Sequence, residues 1–236
     1  MISVRQAAAR GHFQNDWLDS HHTFSFGEYY DPQHLGFSVL RVINDDLIAP
    51  GAGFPTHSHR DMEIITYVLD GAIEHKDSTG GGGVIRPGEI QRMSAGRGVA
   101  HSEFNPDPDK PTRLLQIWLF PEKNGIDAGY EQIAMPPPTP GKPLQLIAAK
   151  TGGQGAVTIH QDGSVYAGRF NAGDKATLAL ADRRMAWVQV ANGEVDLNGT
   201  ALNTGDGAAV TKEKELRLSA KGKAEILLFD LPPLNG

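Results

Sequence analysis

Two short segments, about forty residues apart, carry paired side chains able to hold a metal: His57-Ser58-His59 and His101-Ser102-Glu103. Alternate side chains of a β-strand share a face. The ligand-x-ligand spacing therefore aims both members of each pair at one point when the two strands lie side by side. Three imidazoles and one carboxylate form a borderline to hard donor set, which suits iron, manganese, nickel, copper or zinc better than calcium. The chain has no cysteine, so disulfides, thiolate nucleophiles and sulfur-ligated metals are excluded. Surface histidines on an edge strand are the plainer alternative, but two such pairs in one β-rich chain favour a metal. If the strand beginning at His57 runs on regularly, then His57, His59, Asp61, Glu63, Ile65, Tyr67 and Leu69 all face one way. A face that starts polar and turns apolar fits a small barrel with its ion near one mouth.

The elements that would carry these pairs are short strands. Glycine (28) and proline (15) are spread along the 236 residues and punctuate many apolar runs, which is the cadence of an all-β protein. Strands are expected at residues 37–43, 63–69, 114–120, 144–148, 185–190 and 224–229, with little helical periodicity anywhere. Residues 135–143 hold five prolines and cannot join a strand ladder. This segment is expected to link a metal-binding domain of residues 1–134 to a second domain of residues 144–236. Eight of the nine histidines precede it and only His160 follows. Both halves share a strand–turn–strand grammar, as in Val68-Leu69-Asp70-Gly71 and Val190-Ala191-Asn192-Gly193. A duplicated barrel whose second copy has no metal ligands is expected.

Gly51-x5-His57-x-His59-x3-Glu63, followed by Gly71, resembles the first cupin motif, with one residue too many before the closing glycine. Gly88-Glu89, Gly96 and His101-x3-Asn105 resemble the second, with two extra residues before the histidine. Thr23-Phe24-Ser25-Phe26, Leu40-Arg41-Val42-Ile43-Asn44-Asp45-Asp46 and Met93-Ser94-Ala95-Gly96 look more specifically like the pirin family, in its bacterial quercetinase-like branch. The likeness runs through the Pro-rich segment and, more weakly, to Leu227–Pro233. It implies an all-β fold of two tandem cupin barrels, a bicupin, in which only the N-terminal barrel binds metal, through His57, His59, His101 and Glu103. The implied cofactor is one divalent transition metal per chain, with iron foremost and zinc, manganese, nickel, copper or cobalt also suitable.

The implied activity is metal-dependent quercetin 2,3-dioxygenation, in which a flavonol or another small aromatic meets O₂ and the ring opens with release of carbon monoxide. Glu103 would be both a ligand and the catalytic base for the flavonol hydroxyl. The alternative that the resemblance implies is a non-enzymatic pirin-type metal-binding regulator that docks on a partner protein. Glu63, which the general cupin motif nominates as a ligand, is displaced by Glu103. It is expected beside the site, accepting the free N–H of a ligand imidazole. The chain departs from the family at His21, where an aromatic is usual, and at Ser58, where proline is frequent.

Charge and the remaining motifs narrow the field. The formal net charge is −6 and is carried mostly before residue 135. With no basic stripe, direct nucleic-acid binding is not expected. The opening residues, Met1-Ile2-Ser3-Val4-Arg5-Gln6, contain no cationic patch leading into an apolar run, and no apolar stretch is bilayer-length. A cytoplasmic protein without membrane contact is expected. His21 and His22 are adjacent and would point to opposite faces of a strand, so they cannot chelate one ion together. His12, His34, His75 and His160 are expected to be surface or hydrogen-bonded residues. Gly80-Gly81-Gly82-Gly83 lacks the Gly-Lys-Ser/Thr ending of a phosphate loop and is expected to be a hairpin tip.

Overall fold

The computed structural model of the protein describes all residues except 138, 140, 154 and 234–236. Two prolines of the expected linker, Pro138 and Pro140, thus lie outside the described residues. The first half contains β1 (Ile2–Arg5), β2 (Gly11–Gln14), β3 (Leu18–His22), β4 (Leu40–Ile48), β5 (Gly53–His59) and β6 (Glu63–Asp70). It continues with β7 (Ile73–Asp77), β8 (Gly82–Ile85), β9 (Glu89–Ser94), β10 (Val99–Phe104), β11 (Thr112–Leu119) and β12 (Gly129–Ala134). Ten further strands follow between Leu144 and Leu231. Among the described residues the one helical element is a 3₁₀ turn at Ala7–Ala9, and no helix is long and apolar enough to cross a membrane. The expected strand at 37–43 begins only at Leu40. Ser38 takes a positive φ of 53°, and Phe37 and Leu40 close a tight bridge on either side of it.

Each half pairs a seven-stranded sheet with a four-stranded one, which is the two-sheet plan of a cupin barrel repeated. In the first half the large sheet runs β12-β9-β6-β11-β4-β3-β2 and the small one β5-β10-β7-β8. Strand β1 is an exception to a division at residue 134. It pairs with Gly207–Val210, matching Ile2 to Val210, and Ile2 packs on the core of the second barrel.

Period-two alternation sorts the first barrel's side chains into two environments. On β6, Ile64, Thr66 and Val68 face the barrel interior, while Ile65 and Tyr67 face the second half. There they join Leu115, Ile117 and Leu119 of β11 against Ile147, Val165, Trp187, Leu227 and Phe229. The two large sheets therefore share one apolar layer. Tyr67 adds a polar tie across it, donating its O–H to Glu225 Oε1 at 2.5 Å. One end of the first barrel is closed by Leu18, Ile48, Val68, Ile73, Ile85 and Leu114.

Candidate metal centre

Strands β5, β10 and β7 lie side by side in the small sheet and carry the chemistry. His101 of β10 sits directly opposite His57 of β5 and Asp77 of β7, and Glu103 sits opposite His75. The β5–β10 register shifts between His101 and Glu103. Gly53 makes that approach possible, because a Cβ there would come within 2.1 Å of the Glu103 carbonyl oxygen.

The ring nitrogens of His57, His59 and His101 come within 4.8 Å of one another. His57 uses Nδ1 to donate to the Pro55 carbonyl at 2.9 Å, which leaves the Nε2 lone pair free. His101 is oriented from its other side. Its Nδ1 meets His75 Nδ1 at 3.3 Å, and His75 Nε2 meets Asp77 Oδ2 at 3.2 Å. With His75 in its neutral form, its Nε2–H donates to the carboxylate and its Nδ1 accepts the N–H of His101, an arrangement that leaves His101 Nε2 with a lone pair as well. That nitrogen lies 3.1 Å from His57 Nε2. Two lone pairs cannot face each other at that distance with nothing between them, so a proton or a metal ion must fill the gap. Burial depresses His59 to about 4 and His101 to about 3, and the other imidazoles add to the effect. Both are thus neutral at pH 7, the form that ligates metals. This donor set fits a first-row divalent ion.

Glu103 does not join that tight triad. Its carboxylate groups instead with His101 and His75. Both oxygens accept from Gln116 Nε2, at 2.8 and 2.9 Å, and Thr66 Oγ1 donates at 3.4 Å. Burial pushes the Glu103 carboxyl up, against the opposing pull of His75 and Gln116. The triad and Glu103 open onto one cavity of about 760 Å³. Its walls include Phe26, Phe54 and Trp118, and Trp118 stands edge-on to His59 with ring centroids 4.8 Å apart. Asp46 lines the same cavity and accepts from Ser20 Oγ at 2.5 Å. Burial pushes its carboxyl up to about 7, with the nearby Asp45 and Glu103 charges adding to the rise.

Glu63 is elsewhere. Asp61 adopts a φ of 50° between β5 and β6, which breaks the alternation that would have placed Glu63 with His57 and His59. Glu63 faces the second half, where Oε2 accepts from Ser94 Oγ at 2.9 Å and from the His160 backbone N–H at 3.1 Å. It therefore orients no imidazole of the triad. His21 and His22 point to opposite sides as expected of neighbours on a strand. His22 lines the cavity, whereas His21 stacks on His12 beside Asp19. His34 bonds Asp31. His75 is fully buried at the heart of the site and is not a surface residue. The segment His75-Lys76-Asp77 carries the same ligand-x-ligand spacing as the two principal pairs and could have been found by it.

A duplicated two-sheet barrel with a histidine cluster in the first copy alone, among the described residues, defines a bicupin. The chain belongs to the pirin family: residues 3–119 match the family model described as Pirin, and residues 146–231 match the quercetinase C-terminal cupin domain. It is 46% identical over 234 residues to a quercetin 2,3-dioxygenase of Escherichia coli K12, covering 99% of this chain and all of that one. It is 40% identical over 231 residues to a pirin-like protein of Caulobacter vibrioides, covering 98% and 99%. Among solved structures, the bacterial pirin YhhW of Escherichia coli in complex with nickel(II) superposes with a TM-score of 0.93 at 45% identity, covering 99% of this chain and all of that one.

Proposed function

We propose that this protein is a metal-dependent dioxygenase that cleaves a flavonol such as quercetin, using one divalent first-row metal held in the first barrel, the domain expected to span residues 1–134, by His57, His59 and His101, with Glu103, which stands beside His101 outside the tight triad, closing on the ion as the fourth ligand. The observation that carries this reading is the convergence of the His57, His59 and His101 ring nitrogens, with His57 Nε2 and His101 Nε2 3.1 Å apart, on the wall of an aromatic-lined cavity. The names of the relatives support the reaction class, and the nickel complex of YhhW supports a bound divalent metal. Iron is the ion the family resemblance puts first.

When bound, the ion supplies a positive centre that acidifies a substrate hydroxyl and positions substrate beside O₂. The chain's own residues do the rest. The Asp77–His75 pair holds His101 in the tautomer that presents Nε2, so the site is organised before substrate arrives. Glu103, with its carboxyl pushed up by burial, is a better proton acceptor than an exposed carboxylate and takes the proton of the substrate hydroxyl. Gln116 and Thr66 aim it. Phe26, Phe54 and Trp118 offer flat apolar faces to a planar ring and keep water away. The test is oxygen uptake with quercetin under air by metal-loaded protein, with carbon monoxide as coproduct. An oxygen-independent product would indicate a different reaction class.

A further inference from the structure

Across the large sheet of the first barrel runs a row of polar residues in matched register. His22 on β3 lies opposite Asn44 on β4, Asn44 opposite Gln116 on β11, Gln116 opposite Thr66 on β6, and Thr66 opposite Gln91 on β9. All five are buried. A barrel wall at this depth is ordinarily apolar, and the neighbouring inward positions Ile64, Val68 and Leu114 are.

Part of the row is accounted for by Glu103, since Gln116 Nε2 and Thr66 Oγ1 donate to it. The remainder is not. His22 Nδ1, Asn44 Oδ1 and Gln116 Oε1 find no hydrogen-bond partner among the described residues. All three residues line the 760 Å³ cavity. Because the Nε2 hydrogens of Gln116 are committed to Glu103, its free atom is an acceptor. A buried acceptor left unmet lowers stability, so such atoms persist where something else meets them.

We propose that His22, Asn44 and Gln116 form the second half of the substrate site, with Asn44 Oδ1 and Gln116 Oε1 accepting from, and His22 Nδ1 exchanging hydrogen bonds with, hydroxyl groups that the aromatic substrate carries apart from the atoms that reach the metal. This rests on the flavonol reading of the same cavity and adds to it a substrate class: polyhydroxylated planar rings, preferred over apolar ones bearing the same chelating group. The row lies on the large sheet and the histidine triad on the small one, so a ring system spanning the cavity meets both at once. Discrimination by unmet acceptors is stronger than discrimination by shape, because a ligand lacking the hydroxyl leaves a buried polar atom unpaired.

The test compares quercetin with 3-hydroxyflavone, which keeps the 3-hydroxy-4-keto group and lacks every other hydroxyl. Wild-type protein and Asn44→Leu are measured twice: by kcat/KM on the metal-loaded protein, and by quenching of tryptophan fluorescence on the metal-free protein. Wild type is expected to favour quercetin by about 10-fold or more in both readouts. In Asn44→Leu the preference should fall to within about 3-fold, through a loss on quercetin much larger than any change on 3-hydroxyflavone, and the melting temperature should hold or rise. If Asn44→Leu fails to fold, His22→Phe carries the same comparison. An unchanged preference in the variant, or no preference in wild type, overturns the subsite. If neither flavonol is turned over but metal-free protein still discriminates and Asn44→Leu abolishes that, the dioxygenase reading falls and the subsite stands.

Discussion

Asp46 makes the pH dependence of this protein calculable. Burial lifts its carboxyl from 3.8 to about 7, so between those values the folded protein holds a proton that the unfolded chain has released. The stability linked to that proton is fully present below about pH 4 and is lost as pH rises through 7. A separation of about three units corresponds to on the order of 4 kcal/mol, of which about 2 to 3 kcal/mol is lost between pH 5 and pH 8. Asp46→Asn keeps the size of the side chain and an acceptor for Ser20 Oγ, but it cannot ionise. In a chain of this length each kcal/mol moves Tm by roughly 2–4 °C. The Tm of Asp46→Asn minus that of wild type should therefore widen by roughly 4–12 °C from pH 5 to pH 8. The assay is thermal melting of chelator-treated protein in matched buffers, so that no bound cation alters the field at Asp46. A difference that stays flat with pH would show that Asp46 ionises as an ordinary exposed carboxylate does, and the buried wall described here would be wrong.

Glu103→Gln should retain most of its metal while turnover falls about 10²-fold or more, because an amide keeps an oxygen for the ion but accepts no proton at neutral pH. Full turnover in that variant removes the base role. Glu63→Gln should bind metal as wild type does but melt lower by roughly 3–12 °C, since the carboxylate's bond from the His160 N–H joins the halves, its bond from Ser94 fixes it in place, and hydrogen bonds to charged groups contribute about 1.5–3 kcal/mol. Loss of metal on that substitution would return Glu63 to the ion. His75→Phe should weaken metal affinity by about 10- to 100-fold, read by competition with a chelating dye, because it frees His101 to turn. Unaltered affinity would make the Asp77–His75 relay irrelevant to the site.

The parts of the site that follow period two within one strand were legible in the sequence. His57 with His59, and His101 with Glu103, announce themselves by spacing. The extrapolation to Glu63 failed because it crossed Asp61, where a positive φ resets the alternation, and a single residue in that region is not visible in a pattern of apolar and polar positions. His75 and Asp77 had the right spacing but acquire meaning only from the register that sets them opposite Glu103 and His101. The row from His22 to Gln91 depends on five strands whose order in the sheet is unrelated to their order in the chain, so no local window contains it. The crossing of β1 to the second barrel is likewise a long-range event, joining Ile2 to Val210.

The most direct test of the central claim is the metal-to-chain ratio of purified protein equilibrated with a divalent first-row ion and then freed of excess, measured by elemental analysis for wild type and for His101→Ala. His101 is the residue on which the facing nitrogens, the Asp77–His75 pair and the neighbourhood of Glu103 converge. About one ion per chain in wild type and almost none in His101→Ala, with oxygen uptake on quercetin lost in parallel, is the expected result. An ion retained by His101→Ala at the wild-type ratio, or two tightly held ions per wild-type chain, would contradict it.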